Sequence, residues 1–282
     1  MDIINFLNEF TSHDLVKKTS SRREMLGNFG SLGKKAALAA IPFGLATNTA
    51  QAATTKTSDA IGALQLALTL EYLEAEFYVK ALDSGVVPSG RPEAVYMQIS
   101  KHETAHVNFL KAGLGDAAFD SPEFDFTADG AFDPFNPNND AAYAQLLVLA
   151  QAFEDTGVRA YKGQATNLMG TAFLQPALRI HSVEARHAAE VRRLRAAFLN
   201  EPLNQDLLPW ITLDHRGPGM PPVTQATYNG EENITQAGID LTAITDFGAI
   251  PVSQSYDEPI SGEIALQIAT LFIKSCEKCP TS

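Results

Sequence analysis

Four stretches of this chain have the period of an α-helix, and each sets a carboxylate or an imidazole on the face where leucine is expected. In the first, about residues 59–82, Leu64, Leu68, Glu71, Ala75, Tyr78 and Leu82 step by 4, 3, 4, 3 and 4 and share one face. The second, about 92–112, lines up Ile99, Glu103, His106 and Leu110. The third, about 139–168, lines up Leu147, Ala150, Glu154, Gly157 and Tyr161. The fourth, about 171–199, lines up Ala177, Ile180, Glu184, His187, Val191, Leu194 and Phe198, with Pro176 in its first turns, where a missing N–H costs little. Four such helices bury their stripes against one another as a bundle. A single buried glutamate is costly unless neutral or paired, and four at matching depth need a cation to hold them.

The spacing sharpens that reading. Glu103-Thr104-Ala105-His106 and Glu184-Ala185-Arg186-His187 are both ExxH, and helix residues three apart aim at one point. One Glu from each of two helices plus an ExxH from each of the other two is a di-metal carboxylate arrangement. The halves also repeat. Tyr78 follows Glu71 by seven residues and Tyr161 follows Glu154 by seven, while Glu103 and Glu184 come 32 and 30 residues after their partner glutamates. One ExxH arises easily by chance, but two in the same relation to a Glu-x6-Tyr do not.

Between the second and third helices, residues 113–138 hold Phe119, Phe124, Phe126, Phe132 and Phe135. That length suits a crossover along the bundle, its aromatics packed on the helices. Beyond Pro202 the chain turns rich in Pro, Gly, Thr and Asn, with β-like pieces such as 239–245. This reads as an irregular arm ending in a helix over about 261–275. The expected organisation is an export segment at 1–52, an all-α bundle at 53–200 and a C-terminal extension at 201–282 packed on it.

The N-terminal segment reads as an address. Ser21-Arg22-Arg23-Glu24-Met25-Leu26 resembles a twin-arginine export signal, followed by Lys34-Lys35, the apolar run 36–46 and Ala50-Gln51-Ala52, a small-residue cleavage site. The competing reading is an amphipathic helix kept by a cytosolic protein. Six basic and four acidic side chains make residues 1–52 slightly positive, within a chain of net charge −12. Export predicts the periplasm or cell envelope. The acidic balance excludes nucleic-acid binding, and no run of 18 apolar residues predicts a membrane span.

With both ExxH motifs and both Glu-x6-Tyr motifs in place, the chain resembles the ferritin-like superfamily, whose bundles carry Glu, ExxH, Glu and ExxH in that order. Leu70-Glu71-Tyr72-Leu73-Glu74-Ala75-Glu76-Phe77-Tyr78 is similar to the exported ferritin-like domain proteins, a group that includes desiccation-related proteins. The 210–214 and 228–233 stretches look like bacterial members of it. The resemblance implies Glu71 and Glu154 as terminal ligands, Glu103 and Glu184 as bridges, and His106 and His187 holding one metal each. It implies two iron or manganese ions per chain, and a small-molecule oxidant or Fe(II) as partner. A cage is disfavoured, because the crossover and the extension would crowd a shell interface; a homodimer stays open.

Plainer readings stand beside these. Glu74, Glu76 and Asp155 fall off the stripes and read as surface charges. His102 and His181 read either as supports of the site or as exposed helix histidines. Tyr78 and Tyr161 read as core fillers, or as groups behind the ligands with a part in catalysis. His102-Glu103-Thr104-Ala105-His106 is also an HExxH, which in a zinc protease makes both histidines ligands and the glutamate a base; it leaves Glu71, Glu154, Glu184 and His187 unexplained. Cys276-Glu277-Lys278-Cys279 is a lone CxxC, too little for a zinc site. From a different class comes a stress-protective scaffold whose metal is structural or absent.

Overall fold

In the computed structural model, residues 49–200 and 207–275 are described, with side chains from 59 to 274. The twin-arginine stretch and Cys276-Cys279 lie outside them. Four long helices dominate: α1 (Thr49–Asp83), α2 (Arg91–Leu114), α3 (Ala142–Gln164) and α4 (Leu174–Leu199). α1 begins ten residues ahead of the expected start, because the Ala- and Thr-containing run before Ser58 holds no Gly or Pro to stop a helix. Pro92 opens α2 where its missing N–H costs nothing, and Asn200 closes α4 in the left-handed conformation (φ 52°, ψ 31°). The architecture is the expected all-α bundle with a long crossover.

The crossover is pinned by its aromatics. Phe119, Phe124, Phe126 and Phe132 are buried, and Phe126 packs on Phe77 of α1 and Phe153 of α3 at ring-centroid distances of 5.6 and 6.3 Å. Within it, β1 (Glu123–Phe124) pairs antiparallel with a strand from the end of the chain (Ile273–Ser275).

That pairing corrects the expected terminal helix. The helix covers only Gly262–Thr270, capped by the Ser261 hydroxyl accepting from the Ile264 N–H, and the chain then extends to pair with β1. The β-like piece at 239–245 likewise shortens to a two-residue hairpin, Thr235–Gln236 with Ile239–Asp240, followed by a 3-10 turn at Leu241–Ala243.

α3 is the central element. Every residue from Leu146 to Tyr161 is buried, so its outer face is covered as well as its stripe. The cover is the C-terminal arm. Ile260 donates its N–H to the Arg159 carbonyl at 3.3 Å, and a Cβ at Gly163 would stand 1.9 Å from the Ile260 carbonyl oxygen. Only a glycine lets the arm lie that close.

This covering overturns the reading of Asp155 as a surface charge. Asp155 is 2% exposed and takes Arg192 on both oxygens (2.5 and 3.3 Å) and the Tyr228 hydroxyl at 2.8 Å. Arg159, also buried, pairs with Glu231 at 2.7 Å and donates to the Thr227, Asn229 and Glu258 carbonyls at 2.5, 2.9 and 2.8 Å. Arg195 donates to Gln151 at 2.6 Å and to the Pro218 carbonyl. Two buried arginines, Arg159 and Arg195, thus satisfy inward-turned carbonyls of the arm, while Arg192 of α4 pairs with Asp155 of α3 beneath it. Phe198, placed on the inward stripe of α4, is instead 45% exposed and packs edge-on against Tyr143.

Candidate metal centre

The bundle brings all six stripe residues to one place. Glu71, Glu103, Glu154 and Glu184 are fully buried, His187 nearly so, and the His106 side chain is 11% exposed. They form two overlapping groups, Glu71–Glu103–His106–Glu184 and Glu103–Glu154–Glu184–His187, whose ligand atoms all lie within 4.8 Å of one another in each group. Glu103 and Glu184 belong to both, each turning one carboxylate oxygen toward either histidine. Glu103 puts Oε2 at 3.0 Å from His106 Nδ1 and Oε1 at 2.8 Å from His187 Nδ1. Glu184 puts Oε1 at 3.2 Å from the first and Oε2 at 3.7 Å from the second.

Hydrogen bonds cannot satisfy this cluster. His106 Nδ1 carries at most one hydrogen, yet Glu71, Glu103 and Glu184 all stand within 3.2 Å of it. Glu103 Oε1, Glu154 Oε2, both Glu184 oxygens and His187 Nδ1 are buried without a hydrogen-bond partner. Five orphaned buried polar atoms converging on one point are costly unless a cation holds them. The donor set, four carboxylates and two imidazoles without thiolate, suits iron or manganese over softer-ligand metals.

The electrostatics agree. Burial, then the Glu184 and Glu71 charges, push Glu103 well above the usual carboxylate range. Burial lifts Glu154 to about 7, against the pull of His187. Burial also works against Glu184, but the close approach of the His106 and His187 imidazoles outweighs it and holds the group at about 2. For His106, burial opposes protonation, but its bonds to Glu103, Glu184 and Glu71 win and push it up to about 12; His187 rises further against the same opposition. Without a metal, the imidazoles serve as the cluster's cations.

The residues behind the six clustered side chains are placed as specifically. Tyr161 donates to Glu71 Oε1 and Tyr78 to Glu154 Oε1, each at 2.5 Å. His102 sets Nδ1 2.8 Å from His187 Nε2, and Gln98 stands 2.6 Å from the other nitrogen of His102. His102 therefore faces the nitrogen of His187 that points away from the cluster and joins neither metal-ready group, contrary to what an HExxH zinc site requires. His181 turns away from Glu184 and bonds the Val158 carbonyl at 2.9 Å. Glu76 sits on the surface with Lys80 as expected, at 2.6 Å. Glu74 does not. It is 2% exposed, and burial, followed by the charges of Glu184, Glu154, Glu103 and Glu71, raises it well above the usual carboxylate range. The signal for it was present in the sequence, since Glu71 and Glu74 are three apart and share a helix face.

A four-helix bundle with a long crossover and a buried core of four glutamates and two histidines able to hold metal is a ferritin-like carboxylate protein in architecture. The family model described as ferritin-like domain matches residues 59–197, the four helices and their crossover, and this stretch is a domain of the ferritin-like superfamily. The arm that covers α3 lies outside the matched stretch. No curated protein matches the chain.

Proposed function

We propose that this chain is an exported di-metal carboxylate protein that handles dioxygen, peroxide or Fe(II) in the cell envelope, in the manner of the exported, desiccation-related branch of its superfamily. The supporting observation is the set of buried atoms, Glu103 Oε1, Glu154 Oε2, both Glu184 oxygens and His187 Nδ1, that have no hydrogen-bond partner among the described residues. Glu71 and His106 would hold one ion, Glu154 and His187 the other, with Glu103 and Glu184 shared. Two iron or manganese ions, when bound, supply reversible one-electron redox chemistry suited to reducing dioxygen or peroxide.

The chain's own residues prepare the site. Tyr78 and Tyr161 orient the unshared glutamates, and His102 orients His187. Phe77 and Phe153, both buried and in edge contact at 5.2 Å, help keep water out beside the cluster. His106 and His102, the more exposed members, mark the side from which a small reactant reaches it. Export by a route for folded proteins fits a site that must be filled before crossing.

Metal analysis of the purified chain after loading with Fe(II) or Mn(II) should find about two ions per chain, followed by oxidation of Fe(II) or loss of peroxide. The Glu103→Ala plus Glu184→Ala variant should hold neither ion. Fewer than about one ion per wild-type chain with no turnover would leave the scaffold reading standing, and a double variant that kept two ions would refute these ligands.

A further inference from the structure

Each ligand glutamate opens a helical turn whose fourth residue faces the same way. After Glu103 and Glu184 that residue is His106 and His187, after Glu71 it is Glu74, and after Glu154 it is Gly157. The two halves are therefore unequal at this one position. Glu74 is buried against the cluster, and Gly157 leaves the space on the facing helix. A Cβ added at Gly157 would stand 3.3 Å from Glu74 Oε1 and 3.3 Å from Glu184 Oε2, so two acidic oxygens from α1 and α4 flank one spot beside α3. Glu184 Oε2 is buried there without a hydrogen-bond partner. Glu74 lies outside both four-residue groups.

We propose that Glu74 is a further metal-binding carboxylate of this centre, joining Glu184 at the ion shared with His187 and making the two ion sites unequal. The proposal rests on the two-ion reading above. An added carboxylate oxygen at one site favours hard ions such as Mn(II) or Fe(II) there over Zn(II). Gly157 is the permissive residue, since a methyl group at 3.3 Å from both oxygens would press them out of place.

The test is a titration of the metal-free full-length chain with Co(II), whose visible absorption reports coordination number, and with Mn(II) to measure each binding step. Wild type should bind two ions. Glu74→Gln, nearly identical in shape, should weaken one step about tenfold, leave the other within about threefold, and strengthen the visible cobalt band as one ion loses an oxygen. Gly157→Ala should weaken the same step, and the two changes together should cost less than their product. If Glu74→Gln does not fold, Glu74→Asp keeps the charge, pulls it back by one methylene and should weaken the same step. Two unchanged steps with an unchanged cobalt spectrum would overturn the proposal, as would an equal weakening of both. A wild type that takes up no ion would overturn the two-ion reading and this proposal with it, a result distinct from wild type and Glu74→Gln binding two ions alike.

Discussion

Tyr78, seven residues beyond Glu71 on α1, donates its hydroxyl to Glu154 of α3 at 2.5 Å, while Tyr161, seven residues beyond Glu154, donates to Glu71 at the same distance. Each tyrosine thus holds the glutamate of the other half. The exchange requires α1 and α3 to run antiparallel, because seven residues advance about 10 Å along a helix and only opposite directions bring both pairs level. It also ties the two unshared carboxylates to the core by one bond each, leaving their second oxygens turned into the cluster.

Removing one of these bonds should loosen one ligand at a time. Tyr78→Phe keeps the buried ring and loses the bond to Glu154; Tyr161→Phe does the same for Glu71. Each should weaken metal binding by about tenfold with little change in fold, measured by competition against a chelator. Unchanged affinity in both variants would reduce the tyrosines to core fillers.

His102→Ala separates the two uses of the HExxH motif. Because His102 meets the cluster through the far nitrogen of His187, the variant should still bind two ions, with affinity down by about tenfold from a less restrained imidazole. A zinc site built on His102 and His106 would be emptied by the same change, so the ion count after loading decides between them.

Metal binding should strengthen as pH rises. In the metal-free protein His106 is pushed up to about 12 and His187 higher, so both carry protons at neutral pH. Their charge stabilises the metal-free fold fully below the ordinary histidine value of about 6.5, and that contribution is lost only as pH climbs through about 12. An ion must displace those protons, and below about 7 a third from Glu154. Affinity should therefore rise about tenfold per pH unit for each proton displaced. Calorimetry in two buffers of different ionisation enthalpy measures the release; heats that do not depend on buffer would contradict it.

The buried ion pair beneath the arm, Asp155 of α3 with Arg192 of α4, should prove integral to stability and separable from the metal. Asp155→Ala leaves Arg192 buried without its carboxylate and should cost about 3–5 kcal/mol in denaturant unfolding. Asp155 belongs to neither metal-ready group, so ion stoichiometry in the folded variant should match wild type. A loss below about 1 kcal/mol would mean that Arg192 finds another partner when Asp155 is removed.

The helices, their inward faces and the six clustered residues were legible in the sequence, because helical periodicity is local and a buried acid stands out against a leucine stripe. Asp155 was misread because a stripe shows which face one helix buries first, but not whether a second layer covers its other side, while Glu74 stands three residues from Glu71 on the face that was read as too narrow. α3 is covered all round by an arm whose composition gives no regular pattern. The terminal helix was overextended because pairing of Ile273–Ser275 with Glu123–Phe124 joins residues about 150 positions apart, which no local signal carries.

The sequence by itself therefore determined the class of the protein, a helical bundle with carboxylates and imidazoles turned inward, since that follows from residue type and spacing along single helices. Only the tertiary structure decided which glutamate each tyrosine holds, that His102 faces His187, and that Glu74 and Glu184 flank the space left by Gly157. Those relations depend on the direction and depth at which separate helices pack, and burial between them gives each polar atom its cost and therefore its role.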